Sequence, residues 1–336
     1  MDSINKFTAS VSVPSRQSQT GVSAKEVEYV PPPIEIYEKL HLKGQCFFDY
    51  HCYDHFSKSQ WTKNRLVFLI YRLIGLIAAV IVVLVNIWEF YQHHEMELWL
   101  VYYSGWLAVF MLFHASLATT ATVFAWKRSR LPDYAVDGGY RPPRREKAVI
   151  IGQWILSTHL SATFIISTFA FWVVHAKTNY EEMHLSSAIG VHGVGLFYGV
   201  SEILFTSVPW RLHHVWIPLL GQGLYALFIT VYCVTAGTGF AERAHSVYKG
   251  VDFAHAATAV PIVVSFTGGH CLSHCIVYFM YRIRVLVYLS FCQRRAANAR
   301  TSQQGDELTD ALTMTEIRRL RLQAQARAAK QRTTVA

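Results

Sequence analysis

Residues 66–91 read LVFLIYRLIGLIAAVIVVLVNIWEFY, an apolar run broken by only two charged residues, Arg72 and Glu89. A helix rises ~1.5 Å per residue, so a run of this length outreaches the ~30 Å hydrocarbon of a bilayer. Working outward, five more runs have the same character: 98–126, 148–175, 185–208, 215–235 and 256–281. Each exceeds the usual length of a strand, and a membrane barrel would read as short alternating segments instead. The expected fold class is therefore all-α: a polytopic bundle of about six transmembrane helices, and so a multi-pass integral membrane protein. The composition agrees. Only 16% of the 336 residues are charged, 52% are hydrophobic, and mean hydropathy is +0.22, whereas soluble domains carry about 25% charged residues.

Flanking this block, residues 1–65 and 282–336 have the composition of soluble chain. Residues 1–33 end in Pro31-Pro32-Pro33 and read as a disordered tail. Residues 34–65 carry Phe47, Phe48, Tyr50, Phe56 and Trp61 and are expected to pack as an aromatic cap. At the other end, Thr313-Met314-Thr315-Glu316 reads as a capping box opening a basic helix to about Lys330. No early apolar stretch precedes the first span, which is expected to serve as an uncleaved anchor.

The net charge of +9 is placed rather than spread. Lys127, Arg128, Arg130, Arg141, Arg144, Arg145 and Lys147 crowd one loop, Arg211 sits in another, and Arg282, Arg284, Arg294 and Arg295 follow the last span. Lys58, Lys63 and Arg65 precede the first. The alternate loops hold few basic residues, which puts both termini in the cytoplasm by the positive-inside rule. The expected partners are membrane lipids, with anionic headgroups at the cytoplasmic face; no nucleic-acid role follows from charge so arranged. Cys46, Cys52 and Cys292 fall on the reducing side, and Cys233, Cys271 and Cys275 lie in spans, so no disulfide framework is expected. No cofactor is implied.

Ionisable residues inside spans are costly, and each needs a partner or a task. Depth along the helices sorts them into two layers. Toward the inner side lie Arg72, His114, Glu202 and His274, expected to form a buried polar network that fixes helix register, or else a proton or ion relay. Toward the outer side lie Ser104 and His192, with Asn86 at a comparable level. A serine hydroxyl is a weak nucleophile until a base takes its proton, so Ser104 and His192 are the candidate catalytic pair, acting on an acyl-lipid substrate entering from the bilayer. Gly190, Gly193 and Gly195 would let another helix approach His192. His270 and His274, four residues apart on one helix face, are weak metal candidates that still need a third ligand. Cys46, His51, Cys52 and His55 match no common zinc-finger spacing.

Several stretches resemble one family. His55-Phe56-Ser57-Lys58-Ser59-Gln60-Trp61 followed by Leu69-Ile70-Tyr71-Arg72 is similar to the entry to the first span in the rolling stone family of multi-pass proteins. The block from His192 through Glu202, Pro209, Arg211 and His214 to Pro218 resembles its central segment, and His274 to Arg282 its last span. Where the family usually has Asp, this chain has Glu202; where it has Asn, this chain has Gly195. The resemblance implies a multi-pass membrane protein, and the founding member is associated with myoblast fusion, which makes adhesion, fusion or assembly the implied role. A fainter similarity runs to the androgen-induced/FAR-17a group of intramembrane fatty-acid ester hydrolases, whose Thr nucleophile and His look like Ser104 and His192 here. A transporter is a third reading, without the inverted repeat that such folds show.

Overall fold

The computed structural model describes residues 53–62, 64–93, 96–128, 143–175, 185–235 and 256–334. Among them the architecture is all-helical, with one isolated β-bridge between Ser59 and Thr206. A 3-10 turn, Tyr53–Ser57, leads into α1, Arg65–Gln92. After the 3-10 turn Met96–Leu98 come α2, Tyr103–Arg128, and α3, Arg144–Ala170, which runs on as π-helix over Phe171–His175. Three consecutive pieces form α4: Leu185–Ala188, a π-helical stretch Ile189–Val194, and Gly195–Phe205. The 3-10 turn Leu212–Val215 opens α5, Trp216–Thr235, and α6 is one helix, Ala256–Thr334.

Helix α1 starts where Asn64 caps it, its side-chain oxygen accepting from the backbone N–H of Leu66 at 2.9 Å. Its facing is inverted relative to a soluble helix. The buried positions are Phe68, Arg72, Ala79, Val82, Asn86 and Phe90, a stripe at helical spacing that includes the polar residues Arg72 and Asn86. Ile74, Ile77 and Leu84 face outward and are about 60% exposed, while Arg72 is 3% and Asn86 0% exposed. An apolar outside around a polar inside is stable only in an apolar solvent. Five described helices are long and apolar enough to span a bilayer: Arg65–Gln92, Tyr103–Arg128, Arg144–Val173, Leu212–Thr235 and Ala259–Cys292.

The fourth expected span, 185–208, differs. Its apolar rod covers Ile189–Phe205, ~26 Å by helical rise, and Thr206 turns to extended backbone. The last helix differs in the other direction. It does not stop at 281 or restart at Thr313; the backbone hydrogen-bond ladder continues to Thr334, because nothing between 282 and 313 breaks a helix except Gly305.

Helix α3 lies at the centre, packed against α2, α4, α5 and α6. Ala79, Val82, Leu107, Met111, Leu160, Phe164, Val191 and Tyr198 form the core shared by α1, α2, α3 and α4. Close approach depends on missing side chains at several glycines. A Cβ at Gly195 would stand 2.5 Å from the Phe164 ring, and one at Gly221 would run into the His159 ring. Of the three glycines expected to admit a neighbour beside His192, Gly195 is the one that does so tightly; Gly190 and Gly193 have ordinary spacing. Gly221→Ala is expected to lower stability by about 1–3 kcal/mol through overpacking against α3, measured as the unfolding midpoint in detergent.

Candidate functional site

The Arg72 guanidinium, carried on the buried stripe of α1, forms an ion pair with Glu202 of α4, and both side chains are 2% exposed. Tyr71 donates to the same carboxylate oxygen at 3.2 Å and lies 3.0 Å from Ser201 Oγ. Ser201 in turn donates to the Tyr198 carbonyl, and the Tyr198 hydroxyl meets His114 Nδ1 of α2 at 2.6 Å. From α2, Thr119 donates to the Arg72 carbonyl. The guanidinium carbon sits 4.9 Å from the Phe68 ring centre, a cation–π contact that helps hold a charge away from water. The carboxylate thus ties α1 to α4, and the His114–Tyr198 and Thr119–Arg72 bonds add α2. The network is not saturated: Arg72 Nε and Nη2, Glu202 Oε2 and His114 Nε2 are enclosed without a hydrogen-bond partner, each such group costing about 1–3 kcal/mol.

His274, grouped with these residues by depth, does different work. Its Nε2–H donates to the carbonyls of Arg211 and Leu212, both at 3.1 Å, and so fastens the turn that opens α5. His270 donates from Nδ1 to the Phe266 carbonyl one turn earlier in its own helix, at 2.8 Å. Among the described residues no three His, Cys, Asp or Glu side chains converge as a metal set. Cys46, His51 and Cys52 lie outside the described residues.

In the outer layer, Ser104 sits half-buried in the first turn of α2. His192 lies in the π-helical stretch of α4, its ring stacked on Phe171 at 4.4 Å and 14°, and its carbonyl accepts from Thr168 at 2.8 Å. No hydrogen bond joins Ser104 to His192 among the described residues. Two π-helical stretches therefore adjoin here, one on α3 and one on α4, each distorting the regular ladder. Asn86 accepts instead from the Trp99 indole N–H.

The C-terminus of α4 carries a second cluster of buried polar contacts. A helix leaves its last four carbonyls without internal partners, and one ending inside a membrane protein must find donors for them. Thr206 Oγ1 donates to Glu202 O at 2.6 Å, Arg284 Nη1 to Ile203 O at 2.6 Å, Trp61 Nε1 to Leu204 O at 2.6 Å, and Ser59 Oγ to Phe205 O at 2.8 Å. Arg284 also reaches Thr206 O, and Val208 O at 3.2 Å. The strand-like segment is fastened further by Ser207, which donates from its backbone N–H to Lys58 O and from its hydroxyl to His55 O. Arg284, read from sequence as a surface charge orienting the bundle, is 3% exposed. Arg211 is also buried, over the Trp154 ring at 5.1 Å, and Trp154 donates to Pro209 O at 2.9 Å. The available signal was periodicity: Val277, Tyr281 and Arg284 fall on one helical face.

Trp61→Ala removes one of these donors at a half-exposed position. Its expected cost is about 1–2 kcal/mol, readable as faster proteolysis of the segment around residue 60.

Lipid-facing helices wrapped around a satisfied helix end and a buried ion pair define a multi-pass α-helical membrane protein, in contact with lipid over its apolar surface. A family model matches residues 35–299, which take in the helix bundle and the first part of α6, and the chain belongs to that family: the protein rolling stone family. No curated protein and no solved structure matches the chain.

Proposed function

We propose that this rolling stone family member acts without catalysis in membrane adhesion, fusion or assembly, and that its buried polar groups hold helix register. The observation that carries this reading is the engagement of Glu202: the one carboxylate of the inner layer binds Arg72 and Tyr71 across α1 and α4. The ring of His192 is stacked on Phe171, and Ser104 has no hydrogen bond to it. A serine hydroxyl is a weak nucleophile until a base takes its proton, which favours the non-catalytic reading. Both termini are taken to face the cytoplasm, with the basic loop ends against anionic headgroups; terminal reporter tags that resist protease in intact cells would agree with this.

The test combines function with labelling. In a cell-contact and content-mixing assay, Ser104→Ala and His192→Ala are expected to behave as the unaltered protein, and a fluorophosphonate probe is expected to leave the purified protein unlabelled. Loss of activity in a well-folded His192→Ala protein, or labelling abolished by Ser104→Ala, would replace this reading with the hydrolase.

A further inference from the structure

Helix α6 leaves its apolar span at Cys292 and continues to Thr334, ~63 Å of helix beyond the span. Its far part lies past the family match, which ends at residue 299. Met314, Ile317, Arg318, Arg321 and Leu322 stand at i, i+3, i+4, i+7 and i+8, the spacing of one helix face, and Glu316 falls on the opposite side. On a soluble helix a face of this spacing packs against a neighbour. Here Met314 is 67%, Ile317 43% and Leu322 60% exposed, and Arg318 and Arg321 are exposed with them. Arg319, Arg327, Lys330 and Arg332 add positive charge, against Glu316 alone between residues 313 and 334.

Charge and distance narrow what covers this face. Arg318 stands ~39 Å along a continuous helix from the end of the span, several times the ~8 Å range of charges in physiological salt, so the headgroups of its own bilayer are out of reach. A second copy in the same membrane would run in the same direction and set arginine against arginine. The face calls for carboxylates among apolar side chains, and the chain itself holds such a segment. Residues 26–38, outside the described residues, read EVEYVPPPIEIYE: four glutamates and no basic residue, with Val27, Ile34 and Ile36 among them. Five long spans and the shorter apolar α4 make an even number of passes, which leaves both ends of the chain on one side. The tether also starts in the right place. Trp61 packs on Tyr288 of α6 with ring centres 6.1 Å apart, and Phe56 is fully buried. From Tyr288, Arg318 lies ~45 Å along the helix, and the ~15 residues between Glu38 and Tyr53 reach ~50 Å. We propose that the acidic segment 26–38 docks on the Met314–Leu322 face of α6 and clasps the two ends of the chain together. This rests on both termini facing the cytoplasm, as proposed above. Tethering holds the segment at an effective concentration of about millimolar, so a weak interface suffices.

Energy transfer between dyes at Ala24 and Gln323 tests the clasp, with the full-length protein labelled through unnatural amino acids, one molecule per phosphatidylcholine nanodisc. Transfer is expected to be high in dilute salt and to fall at about 1 M salt, where charges are screened within ~3 Å. The triple change Arg318→Glu, Arg319→Glu, Arg321→Glu is expected to lower it to the high-salt level; glutamate is a good helix former, so α6 stays helical. Reversing the partner as well, with Glu26→Arg, Glu28→Arg, Glu35→Arg and Glu38→Arg, restores transfer, which unfolding of either part could not do. Transfer no higher in dilute than in concentrated salt, or transfer that survives the arginine reversal, overturns the proposal. So does transfer found only between separately labelled molecules, which makes the partner a second copy, or only in phosphatidylserine nanodiscs, which makes it the lipid surface. Reporter tags at the termini test the shared side by themselves: tags on opposite sides remove the topology and the clasp together, whereas low transfer with both tags cytoplasmic removes the clasp alone.

Discussion

Glu202→Ala is expected to give the largest loss of stability of any single change in the bundle, about 3–5 kcal/mol. The reason is asymmetry. Removing the carboxylate leaves the Arg72 guanidinium 3% exposed with no counter-charge, and arginine does not neutralise by losing a proton. The same change also strips the acceptor from Tyr71. Helices α1 and α4 lose their ion-pair tie, so the outcome is aggregation on size-exclusion chromatography in mild detergent, or a large drop in the thermal midpoint. Arg72→Ala is expected to be nearly as harmful, since Glu202 would be the stranded charge. The double variant Arg72→Met, Glu202→Met separates a structural pair from one needed for activity. Buried ion pairs replaced together by apolar residues of similar volume are often neutral or better, so it is expected to recover most of the stability lost by Glu202→Ala. A double variant as unstable as the single ones would show that the pair is held for more than mutual neutralisation.

Arg284→Ala is expected to cost about 2–4 kcal/mol, from charge-assisted hydrogen bonds to the end of α4 that no other group replaces. The guanidinium fork serves Ile203 O, Thr206 O and Val208 O together. It also places a positive charge at the negative end of a helix dipole. Arg284→Lys keeps the charge but replaces the fork with a point donor, and is expected to recover less than half of the loss. Arg282, half-buried two residues earlier, is the control: Arg282→Ala should lie within about 0.5 kcal/mol of the unaltered protein. Thermal unfolding of the three variants side by side in one detergent gives the ranking. If Arg282→Ala proved as costly as Arg284→Ala, the loss would come from general charge near the headgroups and not from helix capping.

The motif resembling the entry to the first span shows how far a local pattern carries. His55 to Trp61 was legible as a conserved-type aromatic and polar run beside a membrane span, yet its use is defined by residues some 140 positions away. Ser59 and Trp61 supply donors to Phe205 O and Leu204 O, and Phe56 inserts beside Trp154 at 5.2 Å. Depth along each helix placed Arg72, His114 and Glu202 at one level, and these do come together. The same measure placed His274 with them, and it also set Ser104 beside His192. Depth is one coordinate of three. Two residues at equal depth meet only if their helices are neighbours and both point into the same seam.

What the sequence determined by itself was the solvent and the secondary structure. Long apolar runs with few charges have one stable form in a bilayer, because every backbone N–H and C=O inside it must be satisfied within the segment. That reasoning is local, summed residue by residue, and needs no knowledge of neighbours. The tertiary structure decided the partners: Arg72 with Glu202, His274 with the turn before α5, and Arg284 with the open end of α4. Those choices depend on the rotation of each helix about its axis and on which helices lie side by side. Both are set by packing, such as the seat of Gly195 against Phe164, and packing joins residues that hydropathy along the chain treats as unrelated.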